Sequence, residues 1–161
     1  MTINNHITSS QSGFSLIEIL VTVLILAIGL LGIAGLQASS MSNNHNAQLR
    51  SIATLQAYDL ADRMRANRGA ITYDASGNVT ASQYDGPVSA QSDCTTTACS
   101  VTAIANNDFW EWNQANAALL PAGAGTVALV GVTNHHRITV TWNERERTGM
   151  AAKSFTLEFR P

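Results

Sequence analysis

Residues 12 to 36 read Ser-Gly-Phe-Ser-Leu-Ile-Glu-Ile-Leu-Val-Thr-Val-Leu-Ile-Leu-Ala-Ile-Gly-Leu-Leu-Gly-Ile-Ala-Gly-Leu. One acid, Glu18, stands near the start of an otherwise apolar run that begins directly after a glycine. From Phe14 to Leu36 the run has 23 residues, about 35 Å of helix, enough to cross a bilayer with some tilt. A carboxylate inside such a segment costs a few kcal/mol even on lenient insertion scales, so it marks a function and wants a partner. A cut between Gly13 and Phe14 would create one. The new amino group of Phe14 would lie four residues before Glu18, the separation at which opposite charges meet on a helix.

A secretory signal peptide fits poorly, because it needs a basic amino-terminal region and small residues at the cut. Residues 1 to 13 contain no Lys or Arg, and a late cut after Ala38 would place Leu36 where a small residue belongs. The remaining bland reading is a signal anchor that tolerates one glutamate. Beyond Leu36 about 125 residues remain, enough for one modest core. The net charge of -2 gives no electrostatic case for nucleic acid or anionic lipid. Glu18 is the only Asp, Glu, Lys or Arg before Arg50, so charge bias is silent about orientation in the membrane.

Gly13-Phe14-Ser15-Leu16-Ile17-Glu18 with the apolar run behind it closely resembles the processing site of type IV pilins and pseudopilins. The resemblance implies that a prepilin peptidase of the inner membrane cuts after Gly13 and methylates the amino terminus of Phe14. It also implies that Glu18 guides the subunit into a filament by facing a neighbour's amino terminus. Residues 1–13 are then a leader, residues 14–36 the membrane and filament-core helix, residues 37–69 its extension, and residues 70–161 a periplasmic or extracellular head.

Gln37 to Gln48 is rich in Ser, Asn and Ala and contains nothing that stops a helix. Apolar spacing returns at Leu49, Ala53, Ala57, Leu60 and Met64, with Ile52 beside it, which predicts an amphipathic continuation to about Asn67, with Gly69 as C-cap. Gly29, Gly32 and Gly35 recur every three residues. They are either a face for close helix packing or the ordinary glycine content of membrane helices.

In the head, residues 70 to 105 are polar and turn-rich, with breakers at Asp74 to Asn78 and Asp85-Gly86-Pro87. Asn107 or Asp108 is placed to cap a helix from Phe109 to Leu120, stopped by Pro121, Gly123 and Gly125. Strands are expected over Thr126 to Val132, Arg137 to Asn143 and Ser154 to Arg160; Ile138, Val140 and Trp142 alternate with Thr139 and Thr141. The fold class is α+β: a long amino-terminal helix carrying a small antiparallel sheet. Cys94 and Cys99, separated by Thr-Thr-Thr-Ala, read as a disulfide in an oxidising compartment, in preference to free thiols or a metal site, which would want more ligands nearby.

A second resemblance is carried by Asp108-Phe109-Trp110-Glu111-Trp112-Asn113, Leu119-Leu120-Pro121-Ala122-Gly123-Ala124-Gly125, Ile138-Thr139-Val140-Thr141-Trp142 and Phe155-Thr156-Leu157-Glu158, with the cysteines ahead of them. These are similar to the PilV-type minor pilins of the type IV pilus. The resemblance implies that the chain helps to initiate the pilus with other minor pilins and the major pilin, in a complex at the tip where a large adhesin can join. A minor pseudopilin of a type II secretion system shares the processing site. A membrane-anchored periplasmic enzyme or binding domain is the alternative of another class.

Catalysis finds little support in the sequence. His135 and His136 are adjacent and would point to opposite faces of a strand, and Glu144-Arg145-Glu146-Arg147 reads as a solvated hairpin loop. Trp110, Trp112 and Trp142 suggest packing before ligand stacking. Arg63, Arg65 and Arg68 have Asp59 and Asp62 beside them, which weakens a nucleic-acid reading. No nucleophile motif, phosphate loop or metal-ligand spacing is present, so no cofactor is expected.

Overall fold

The structure, a computed structural model, describes residues 13–86, 91–92, 94, 98–131, 135–146 and 148–161. Residues 1–12 of the expected leader, Pro87, Val132 and Arg147 therefore lie outside the described residues. The chain divides into two compact units, Met1–Met41 and Ser42–Pro161. One helix, α1 (Leu16–Ala66), runs through the boundary.

In the first unit every described side chain is exposed. The helix here is long and apolar enough to cross a membrane. In hydrocarbon a helix satisfies its backbone hydrogen bonds internally, so this sequence needs no protein partner to hold its secondary structure. The Ser- and Asn-rich stretch after Leu36 continues the helix.

The second unit begins where α1 acquires a buried side. Leu49, Ala53, Ala57, Leu60, Ala61 and Met64 are buried, the expected stripe with Ala61 added, and Ile52 packs partly buried against it. The expected C-cap at Gly69 is corrected. Asn67 N–H donates to Arg63 O at 3.0 Å, and Arg68–Ala70 then form one 3₁₀ turn. A Cβ on Gly69 would come within 2.9 Å of Val101 Cγ1, so close approach, not helix capping, is what its missing side chain permits.

Residues 70 to 105 hold more order than their polarity suggests. Strands β1 (Ile71–Tyr73) and β2 (Val79–Ser82) pair antiparallel. The Asp74 to Asn78 breaker is their turn: Asp74 Oδ1 accepts from Ser76 N–H at 2.9 Å and Asn78 N–H at 2.7 Å, the local bonding that makes Asp a turn residue. Helix α2 (Val101–Leu119) starts well before the expected Phe109. Its cap is Ser100, whose Oγ accepts from Ala103 N–H at 3.2 Å, and Asn107 and Asp108 lie inside the helix. The stop ahead of Pro121 falls where expected.

Strands β3 (Ala124–Val130), β4 (His135–Glu146) and β5 (Gly149–Phe159) form an antiparallel meander in that order. Its register sets Val127 opposite Ile138, and Ile138 opposite Leu157. The head thus has two sheets, where the sequence suggested one. Along β4 the buried residues are His136, Ile138, Val140, Trp142 and Glu144, the period of two that puts alternate residues on one face. They join α1, Trp112 and Leu120 in a single core, apart from the two polar ends of that row.

Candidate functional site

The amino-terminal residues of interest stand in the first unit. Gly13, Phe14 and Ser15 precede α1 in extended or irregular backbone. The helix is opened by Ser15, whose carbonyl accepts from Glu18 N–H at 3.0 Å. Phe14 is 81% exposed, and a Cβ placed on Gly13 would meet nothing within 4 Å. Among the described residues, then, no side chain covers the bond between them. Glu18 is exposed in the first turn of α1, where the free N–H groups of the helix end favour an anion. The expected four-residue pairing within the helix is modified in one respect: Phe14 lies ahead of the first helical residue, so its nitrogen is not fixed by the helix. Gly29, Gly32 and Gly35 have open space where a Cβ would be, and nothing within this unit requires them.

In the head the structure joins Cys94 to Cys99, with Cα atoms 5.5 Å apart. The bridge closes the loop immediately before Ser100 and so anchors the start of α2. The Glu144 to Arg147 loop reading is corrected at Glu144. That side chain lies in β4, 1% exposed, and both its oxygens are bound: Arg50 Nε donates to Oε1 and Arg50 Nη2 to Oε2, each at 2.8 Å, while Trp142 Nε1 donates to Oε1 at 3.1 Å. The Arg50 hydrogen bonds hold the Glu144 carboxyl below its ordinary value, against the opposing effect of burial. Asn46 Nδ2 donates to Arg145 O at 3.0 Å beside it. A two-pronged charged contact thus fixes α1 to the end of the meander.

The arginines near the end of α1 are also engaged. Arg63 meets Asp59 at 3.0 Å, Glu111 at 3.1 Å and Asp108 at 3.4 Å, and Arg65 meets Asp62 at 2.6 Å. Asp108 in turn accepts from Tyr84 Oη at 2.8 Å, and Asn67 Nδ2 donates to Tyr84 Oη at 3.2 Å. Burial pushes the Tyr84 phenol up. This network stitches α1, α2 and the segment after β2 together, and it occupies Arg63. Trp112 and Trp142 are buried and Trp110 is half-buried, so two of the three tryptophans are core. His135 and His136 do point to opposite faces, but His136 is buried in the core, not at a solvated strand end.

Two family models match the chain. One, described as type IV pilin Tt1218, covers residues 35–110; the other, the prokaryotic N-terminal methylation motif, covers residues 8–34. The matches support the type IV pilin superfamily. The methylation-motif match contains the whole Gly13 to Glu18 segment, and the pilin match spans the buried stripe of α1, the β1–β2 hairpin, both cysteines and the first half of α2. The long apolar helix with small antiparallel sheets is the α+β fold of type IV pilins. At that level the matches support a structural, pilin-type role with membrane anchoring and incorporation into a pilus. No curated protein and no solved structure matches the chain.

Proposed function

We propose that this chain is a minor pilin of the type IV pilus, made as a precursor in the inner membrane and cut between Gly13 and Phe14 by a prepilin peptidase that then methylates Phe14. The observation that carries the reading is the exposed Gly13–Phe14 bond, followed by Glu18 and an unbroken apolar helix, inside the methylation-motif match. Glu18 has a chemical role in it. In the bilayer the carboxylate of one subunit and the Phe14 ammonium of the next leave water together, and their attraction grows as the surroundings become less polar. The resemblance of the tryptophan helix and the meander to PilV-type pilins supports a place with other minor pilins in an initiating complex at the tip, adjoining the major pilin and open to a large adhesin.

The test is a deletion strain complemented with the full-length gene. Loss of surface pili and of twitching, with exoenzyme secretion intact, supports the minor-pilin reading. Loss of secretion with pili intact transfers the protein to a type II secretion pseudopilus. A mature chain that still carries residues 1–13, in cells with an active prepilin peptidase, removes both readings in favour of a membrane-anchored periplasmic domain.

A further inference from the structure

We propose that His136 is an acid-sensitive latch in the head: neutral, it completes the inner face of β4; protonated, it cannot stay there, and the end of the sheet at β3, β4 and β5 loosens. His136 is 0% exposed, and among the described residues neither ring nitrogen has a hydrogen-bonding partner. A neutral imidazole in that position already lacks an acceptor for its N–H. An imidazolium would carry two unpaired donors and a full charge into the same place, which is far more costly.

The surroundings offer little compensation. From β5 the paired residue is Phe159, whose ring centroid lies 6.1 Å from the imidazole. From β3 it is Leu129. From α1 the Arg65 guanidinium stacks over the Phe159 ring at 5.1 Å, bringing a positive charge to the same cluster. The neighbours His135 and Arg137 point to the opposite face of β4, where Arg137 is taken by Glu158 at 2.7 Å. Arg160, just beyond Phe159, donates to Gly77 O at 3.0 Å. Burial lowers the imidazole from its ordinary 6.5 and outweighs the carboxylate of Asp85, on the segment after β2, which among the described residues is the charge that favours protonation. Asp85 is itself exposed, so a ring that leaves the core has a carboxylate to meet in water.

The sign follows directly. A group with a lowered folded value takes up its proton in the unfolded chain first, so the stability it permits is complete above 6.5 and declines as pH falls towards the folded value. In that window the unfolded chain holds up to one proton more than the folded one, and the unfolding equilibrium shifts with pH by at most tenfold per unit.

The experiment uses the full chain in detergent micelles: NMR titration of the histidine side chains, and denaturant unfolding of the head from pH 8 to pH 4.5, for the wild type, His136→Leu, His136→Phe and the control His135→Asn. The expected result is a His136 resonance that titrates below 6.5, with a loss of stability between pH 6.5 and that titration, no steeper than tenfold per pH unit, in wild type and His135→Asn that both His136 variants lack. A His136 that titrates at or above 6.5, or a slope that survives in the His136 variants, overturns the proposal. Should neither variant fold, the wild-type titration decides alone.

Discussion

Gly125→Ala places one methyl group where the structure has least room for it. Gly125 is buried on β3, and its added Cβ would overlap the Cη2 and Cζ3 atoms of Trp112, which is itself fully buried. The backbone is no obstacle, because Gly125 is not among the positive-φ glycines. Trp112 cannot retreat without cost, since its Nε1 donates to Gln56 O of α1 at 2.7 Å. Overpacking of this kind costs about 1–3 kcal/mol, and a weakened indole hydrogen bond about 1 kcal/mol more. The lower chain entropy of alanine returns about 0.5–1 kcal/mol. The expected net loss is about 1–3.5 kcal/mol, or roughly 5–15 °C in Tm for a domain of this size. Thermal unfolding of a fragment beginning at Ser42 measures it, in a cycle with Trp112→Phe, whose smaller ring leaves space. A Gly125→Ala head melting within about 2 °C of wild type refutes the reasoning. So does an equal loss in the Trp112→Phe background, where the two sites should couple strongly.

The other expectations concern processing, assembly and the head's covalent and charged links. Gly13→Val should leave a longer, membrane-retained precursor, read by intact mass; since among the described residues a Cβ on Gly13 meets nothing within 4 Å beyond its chain neighbours, the defect would reside in recognition by the peptidase and not in folding. Glu18→Ala should insert in the membrane as well as wild type or better, because a desolvated carboxylate is removed, yet fall at least tenfold in sheared pili relative to membranes; an unchanged ratio, with Glu18→Asp as the length control, would mean the acid is incidental. Cys94→Ser should leave Cys99 alkylatable and cost the head about 2 kcal/mol by the chain-entropy estimate for so short a loop, checked by denaturant unfolding. Glu144, held low by Arg50, contributes stability that is complete above the ordinary 4.5 and is lost as pH falls through its lower folded value; Glu144→Gln should flatten the unfolding midpoint against pH below about 4.5.

The amino-terminal half was readable because its information is local. A glycine, an acid five residues on and an uninterrupted apolar run specify a helix, a medium and a processing site without reference to any other part of the chain. The α1 stripe was readable for the same reason: its spacing is a property of one helix. What the sequence concealed depends on contacts between distant residues. Arg50 and Glu144 lie 94 positions apart, and a run of Glu-Arg-Glu-Arg looks like a loop until a partner is found for its first member. Gly125 resembled a helix-stop signal and is a site of close approach to a tryptophan thirteen residues earlier. Ser100 is inconspicuous as a cap because α2 opens with Val101 and Thr102 and has no acid in its first turn, so the usual polar signature of a helix start is displaced to Asn107 and Asp108.

One signal for the concealed residues was nevertheless present. The alternation of Ile138, Val140 and Trp142 extends by one step in each direction to His136 and Glu144, and both are buried. Read as a period rather than as a list of apolar residues, β4 assigns a titratable group to each end of its inner row. The two ends are then treated oppositely: Glu144 is given a bidentate arginine and an indole N–H, and His136 has no hydrogen-bonding partner among the described residues. A carboxylate can be held in a core face if its lone pairs are filled, whereas an imidazole is held there by remaining neutral. The same strand therefore loses support at its two ends through different protons, His136 beginning below 6.5 and Glu144 only below 4.5. On acidification the end of the meander at Phe159 should give way before the end clamped to α1 by Arg50, and amide exchange along β4, followed from neutral to acid pH, would expose the opposite order if this assignment of charges is wrong.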